Sequence, residues 1–243
     1  MRIAVVIPTL DEAASVEAAI ASAGAAGGPI SPETCAREPA PLATGDRDIE
    51  VWVVDGGSRD ATVARARAAG ACVLSAAAGR ARQQEAGWRA SRGDAVVFLH
   101  ADTRLPAGWA GAVRGALSDP HVAGGAFRLR YEPRPPAMAV IEWGARVRAR
   151  LLGLPYGDQA LFARRGVLEA IGGVPAVPIF EDLDLVRALR RRGRFAQLPL
   201  AVATSSRRYL RRGVLRTFGR HALALAAWRL GLDRERVADW VRR

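Results

Sequence analysis

Short apolar runs alternate with longer Ala/Arg-rich stretches of helical period through the first half of the chain, and this rhythm limits the fold more than any other feature. Ile3–Ile7 precedes Glu12–Ala23, Val51–Val54 precedes Ala61–Ala69, Cys72–Leu74 precedes Arg80–Ala90, and Ala95–Leu99 precedes Trp109–Leu117. A strand that is apolar along its whole length is buried on both faces. The repeat therefore predicts an α/β fold with a mainly parallel, Rossmann-like sheet covered by helices on both sides. In such sheets ligands sit beyond the carboxyl ends of the strands. The chain places acids there: Asp11 and Glu12 after the first run, Asp55 after the second and Asp102 after the fourth.

A chain of 243 residues can bury one sizeable core, so a single domain is expected. No stretch of eighteen uncharged apolar residues occurs, and the N-terminal run stops at Pro8, too short for a signal peptide. A soluble cytoplasmic protein is the expectation. Cys35 and Cys72 allow at most one bridge and have no metal-ligand spacing, which suits a reducing compartment. Residues 24–48 are rich in Gly, Pro, Ser and Thr and read as a flexible surface loop. Beyond Leu129 the alternation is irregular. Helices are expected over Pro135–Gly153 and Glu181–Arg192, with a basic amphipathic C-terminal helix over Val214–Leu230.

The net charge of +12 suggests a phosphate binder, but all 36 basic residues are arginine, and the chain has neither lysine nor asparagine. Lys and Asn share A-rich codons while Arg and Ala mostly use G and C, so a biased genome accounts for the pattern. With no recognition motif and few aromatics to stack bases, nucleic acid is not an expected partner. The missing lysine excludes a P-loop and a Schiff-base enzyme.

"VVIPTLDEA", "VWVVDGGSRDAT", "FLHADT" and "FEDLDLVRAL", in this order and spacing, resemble the family 2 glycosyltransferases of the GT-A fold. Within that family, "AGRARQQEAG", "FLHADTRLP", "YGDQALFARR" and "SSRRYLRRGVLRT" are similar to a small bacterial branch associated with arsenosugar biosynthesis and radical-SAM genes. The resemblance implies a nucleotide-sugar-binding half (1–130), an acceptor half (131–210) and C-terminal amphipathic helices (211–243). Related pyrophosphorylases generally use a lysine, which this chain lacks.

The residue chemistry is consistent with that resemblance. A departing nucleoside diphosphate must be neutralised, and a divalent ion held by one or two carboxylates together with the phosphates does this. Asp102 is the expected ligand for Mg²⁺ or Mn²⁺; its bland alternative is a turn-forming Asx before Pro106. His100 stands where the family usually has another acid. Side chains at i and i+2 share a side of an extended chain, so His100 either coordinates the metal, hydrogen-bonds the ribose or merely packs at the strand end. Pro8, Thr9, Glu12, Asp55 and Ala101 are implied to surround the nucleotide. Thr9 and Glu12 also have capping-box spacing, which leaves Glu12 divided between cap and ligand. Asp60 reads as a helix cap.

Arg80, Gln83, Gln84 and Gly87 share one helical face, and a guanidinium at a helix start suits a phosphate, so Arg80 or Arg82 is implied to meet the donor, with Gln83 beside them. A base must take the acceptor's hydroxyl proton. The family's Glu-Asp motif carries this role over to Asp182. Asp184 is turned to roughly the opposite side of the helix, and Glu181 either orients the acceptor or caps. Asp158 and Gln159 are acceptor-side candidates. The expected activity is inverting, metal-dependent transfer of a single sugar, from a UDP-sugar first and a GDP-sugar second, to a small or lipid-linked acceptor. Alternatives are an inactive nucleotide-sugar-binding module, or a membrane-surface protein docking peripherally at the inner face through its basic helix.

Overall fold

The computed structural model describes residues 1–24, 48–151, 153 and 155–242. The loop expected over 24–48 lies outside them except for its two ends. One end, Gly24, closes the first helix in the left-handed conformation, with its N–H donated to the Ala21 carbonyl at 3.1 Å.

The strands are β1 (Ile3–Thr9), β2 (Ile49–Asp55), β3 (Cys72–Ser75), β4 (Ala95–Phe98), β5 (Thr103–Arg104), β6 (Val122–Glu132), β7 (Leu161–Arg164) and β8 (Arg194–Ser205). The helices are α1 (Val16–Ala23), α2 (Thr62–Ala68), α3 (Arg80–Ala90), α4 (Trp109–Ala116), α5 (Pro136–Leu151), α6 (Arg165–Ala170), α7 (Glu181–Arg192), α8 (Arg207–Arg212), α9 (Val214–Arg229) and α10 (Arg234–Arg242). The strands form one sheet in the order β3-β2-β1-β4-β7-β6-β8-β5. The block β3-β2-β1-β4 is parallel, as the apolar runs require. The sheet is mainly parallel as expected, and its antiparallel members lie beyond β4. There β7 runs antiparallel to both β4 and β6, β8 is parallel to β6, and β5 is antiparallel to β8.

The period-2 pleat divides the core. Ile3, Val5 and Ile7 pack on the face of α1 and α4, while Ala4 and Val6 pack on the opposite face with Trp88 of α3 and Leu185, Val186 and Leu189 of α7. Each fully buried branched side chain contributes roughly 1.5–3 kcal/mol.

Strand polarity decides where the loops meet. The carboxyl ends of β1, β2, β4, β6 and β8 lie along one edge of the sheet, together with the start of the antiparallel β7. Asp55, Glu132 and Ser205 are the last residues of β2, β6 and β8, His100 and Asp102 follow β4, and the short 3₁₀ turn Gly157–Gln159 precedes β7. No helix among the described residues is long and apolar enough to cross a membrane.

Candidate functional site

Along this edge, backbone groups are tied down by side chains. Asp55 is buried, and its Oδ2 accepts the N–H groups of Gly57 and Ser58 at 2.9 and 3.0 Å. Its Oδ1 accepts the Ser58 hydroxyl at 2.5 Å and the Thr9 hydroxyl at 3.5 Å. The carboxylate therefore shapes the β2–α2 turn through several of its lone pairs. Asp11 takes a left-handed conformation at φ 54° and accepts the Arg59 N–H at 2.7 Å, joining the first loop to the second. The Asp60 carboxylate accepts the Thr62 and Ala13 N–H groups, and its bond from the Thr62 hydroxyl holds it below the usual carboxylate range.

The capping-box reading of Thr9 and Glu12 is corrected. α1 begins only at Val16, because residues 12–15 form a separate turn in which the Glu12 carbonyl accepts the Ser15 and Val16 N–H groups. Thr9 is instead the buried last residue of β1. Glu12 accepts the Ser15 hydroxyl at 2.7 Å and faces Arg207 at 3.6 Å.

Gln83, implied to lie beside the donor, has a scaffold task in the fold. Its buried amide donates to the Thr9 and Val54 carbonyls, both at 2.8 Å, and so links α3 to the ends of β1 and β2. Gln159 has the same kind of task, donating to the Phe127 carbonyl at 2.9 Å and accepting the Tyr156 N–H at 3.2 Å. Arg82 lies exposed on α3 and makes no contact with the acids of the site among the bonds and ion pairs of the described residues. Pro8 and Ala101 line the strand ends through their backbone positions, with Ala101 buried in the core.

A cleft of about 260 Å³ opens between the start of α1 and the ends of β5 and β8. Asp102 lines it, facing Ser15, Thr204, Ser205 and Arg207. Its main chain is anchored by the Ser205 N–H, donated to the Asp102 carbonyl at 3.1 Å. Arg104 and Glu132, themselves ion-paired, form another wall.

His100 points elsewhere. Residues 100–103 make a tight turn in which the Thr103 N–H donates to the His100 carbonyl at 3.0 Å, so the same-side rule for extended chain does not apply. A Cβ placed on Gly157 would meet His100 Nε2 and Asp182 Oδ2, each at 3.2 Å. The imidazole thus borders Asp182 and is not part of the cleft lining around Asp102.

Asp182 sits in the first turn of α7, where the helix N-terminus favours a carboxylate. Its Oδ2 accepts the Gly157 N–H at 2.6 Å, and its Oδ1 accepts its neighbour Leu183's N–H at 2.8 Å. Burial pushes its pKa up to about 6, and the adjacent Glu181 adds to the rise. Arg80 and the two N–H donors oppose it. Glu181 is buried and paired with Arg80 at 3.1 Å. Burial alone would lower the Arg80 pKa, but Glu181, Asp182 and Asp158 reverse that and raise it. Asp158 adds negative charge beside Tyr131 and Tyr156, and burial pushes the Tyr156 phenol up to about 12. Asp184 turns away, as its helical phase requires, and pairs with Arg234 of α10.

The structure thus places Asp102 in a cleft, with Glu12 behind its lining residue Arg207, and gathers Arg80, His100, Asp158, Glu181 and Asp182 into a separate polar cluster. Sequence reasoning missed Arg207, Ser205 and Gly157. The run "SSRR" directly after a long strand was a signal for the first two, and the glycine before Asp158 for the third.

Comparison with known proteins adds a family. The model of glycosyl transferase family 2 matches residues 4–171. Among solved structures, glucosyl-3-phosphoglycerate synthase from Mycobacterium tuberculosis superposes with a TM-score of 0.64 at 24% identity, over 96% of this chain and 81% of that one. That enzyme was crystallised with Mn²⁺, UDP and glucosyl-3-phosphoglycerate, and separately with Mn²⁺, UDP-glucose and glycerol 3-phosphate. A mycobacterial protein aligns with a TM-score of 0.63 at 26% identity, over 96% of this chain and 75% of its own. TarS of S. aureus aligns with a TM-score of 0.59 at 14% identity, over 84% of this chain and 37% of its own. Among curated protein sequences none matches. With the family model spanning well over half of its length, the chain belongs to glycosyl transferase family 2.

Proposed function

We propose that this family 2 glycosyltransferase inverts configuration while moving one sugar from a nucleoside diphosphate donor to an acceptor hydroxyl. A UDP-sugar is the first choice of donor and a GDP-sugar the second. The observation that carries the reading is Asp182: a buried carboxylate at a helix start, oriented by the Gly157 N–H and raised towards neutral pH. That is the placement and basicity a general base needs. In this reading Asp182 takes the acceptor proton, Glu181 and Arg80 fix the charge balance beside it, and the buried wall excludes water. Asp158 and His100 flank the acceptor.

The donor side is assigned to the cleft at Asp102. Among the described residues no group of three His, Cys, Asp or Glu could hold a metal. A half-exposed carboxylate in a polar cleft instead fits a hard cation shared between one protein ligand and diphosphate oxygens. Asp102 would hold Mg²⁺ or Mn²⁺, which when bound neutralises the leaving diphosphate. The complexes of the M. tuberculosis enzyme with Mn²⁺ and UDP-glucose support this choice. Arg207, paired with Glu12 on the rim, is placed to meet the diphosphate's remaining charge. The acceptor is taken to be small or lipid-linked, and the arsenosugar connection rests on the motifs alone.

The test is calorimetric titration of UDP and of GDP, with Mn²⁺ and with chelator, into the wild type and Asp102→Ala. The expected result is metal-dependent binding of one nucleotide, lost in the variant. Failure of both nucleotides to bind would overturn the reading. Binding with no turnover of any donor would instead identify a nucleotide-sugar-binding module.

A further inference from the structure

The C-terminal helix α9 is apolar on both sides. Its inner side is accounted for by the fold: Trp228 is buried against Leu183, with Phe180 and Leu225 packed beside it, and its ring lies 6.1 Å from Phe180 and 3.7 Å beneath the Arg187 guanidinium. The outer side is not. Phe218, Ala222, Leu223, Ala226 and Leu230 fall within a little over a third of the helix circumference at 100° per residue, and all are exposed. Leu223 is 61% and Leu230 78% exposed, and exposed Leu232 and Trp240 extend the surface past the helix end.

Isolated exposed leucines are ordinary, whereas a contiguous apolar stripe on a surface helix marks an interface. Its rim identifies the partner. From Arg207 to Trp240 the chain has nine arginines against three carboxylates, Asp233, Glu235 and Asp239, all of them beyond the end of α9. Arg216 borders the stripe on one side and Arg229 lies towards the other, beside the column of Phe218, both exposed. Pairing with a second copy along α9 itself would set arginine against arginine. An anionic lipid surface meets both demands at once, taking the apolar side chains into its acyl boundary and the guanidinium groups at its headgroups.

We propose that the outer face of α9, continued by Leu232 and Trp240, docks on an anionic lipid bilayer. The inner face of the same helix covers Phe180, the residue immediately before Glu181 and Asp182, and packs near Tyr156 beside Gly157. Docking through α9 therefore brings the acceptor side of the site to about one helix diameter from the membrane surface. Resting on the glycosyltransferase reading, this points to an acceptor whose hydroxyl is carried by an amphiphile held in that surface.

The full chain should sediment with phosphatidylcholine vesicles containing phosphatidylglycerol and not with phosphatidylcholine alone. Leu223→Ser with Leu230→Ser should weaken binding at least about tenfold. Arg216→Gln with Arg229→Gln should weaken it about fivefold per arginine. Both pairs lie on the exposed surface, so circular dichroism and UDP affinity should stay at wild-type values. No sedimentation of the wild type with anionic vesicles, or undiminished sedimentation of the serine pair, would overturn the proposal. So would a wild-type dimer in sedimentation velocity that the serine pair converts to monomer, since the face would then belong to a second copy. UDP binding without vesicle binding removes the docking surface and leaves the site reading intact; vesicle binding without UDP binding does the reverse.

Discussion

The two halves of the molecule hold their polar residues in different ways. On the side proposed for the donor, the ends of β1 and β2 are fastened by side chains bonded to backbone: Asp55 to two N–H groups, Gln83 to two carbonyls, and Asp60 to the loop before α1. On the side proposed for the acceptor, Gln159 makes one comparable bond, and the elements are otherwise held by arginines lying on aromatic rings, Arg148 over Tyr156 at 3.5 Å and Arg187 over Trp228 at 3.7 Å. Two of the non-glycine residues with positive φ, Ala160 and Phe180, flank the acceptor elements themselves. A diphosphate has one shape, and a cleft framed by fixed backbone suits it. Acceptors differ, and a face built from side chains stacked on one another can change without disturbing the sheet.

The most severe way to break this contrast is at Asp182. Asp182→Asn keeps an oxygen acceptor but cannot take a proton, so UDP release at saturating donor should fall by about 10²–10⁴-fold while UDP affinity is kept. In the wild type the same rate should rise with pH through about 6, the range to which burial lifts this carboxyl. The stability effect has the opposite sense. From the ordinary 3.8 up to about 6 the folded chain binds more protons than the unfolded one, so the Asp182 contribution to stability declines as pH rises across that window. Urea unfolding at several pH values should reveal that decline, and Asp182→Asn should abolish it.

A smaller effect, on the opposite side of the contrast, is expected at Gln83. Gln83→Ala removes both 2.8 Å bonds, leaving the Thr9 carbonyl with the Gly56 N–H at 2.9 Å and the Val54 carbonyl with the long Thr9 hydroxyl contact at 3.4 Å. The expected loss is about 2–3 kcal/mol of folding stability, with weaker UDP binding as the strand ends loosen. Unchanged thermal stability would mean that the donor frame is not rigid through this contact, and the contrast between halves would fail.

How much of this was legible in the sequence follows the same division. The parallel block was readable because Ile3–Ile7 and Ala95–Leu99 are apolar on every residue, which only a sheet buried on both faces explains. β6 was hidden by Gly124 and Gly125, which look like a turn. They are strand residues that let neighbouring chains approach, since a Cβ on Gly124 would lie 2.3 Å from the Phe162 carbonyl oxygen and one on Gly125 2.3 Å from that of Ala196. β8 was obscured by Pro199 and by a mostly half-exposed surface with little polar alternation. At the site, the helical phase of Asp182 against Asp184 was readable from α7 alone. The direction of His100 was not, because it depends on a turn that Thr103 closes. The bonding of Gln83 and Gln159 to distant carbonyls is likewise a tertiary fact that no local pattern encodes.

Gly157 gives the finest test of whether the acceptor side tolerates change where the donor side does not. Its backbone N–H orients Asp182, and a methyl group on its Cα would stand 3.2 Å from both Asp182 Oδ2 and His100 Nε2, closer than most real contacts of a Cβ. Its φ is not positive, so the backbone itself accepts alanine without strain. Gly157→Ala should therefore displace the carboxylate by a few tenths of an ångström, lowering the rate of UDP release about tenfold with little change in UDP affinity or melting temperature. A loss of stability in place of rate would mean that Gly157 is as rigidly framed as Gln83, and that the two halves differ in composition but not in tolerance.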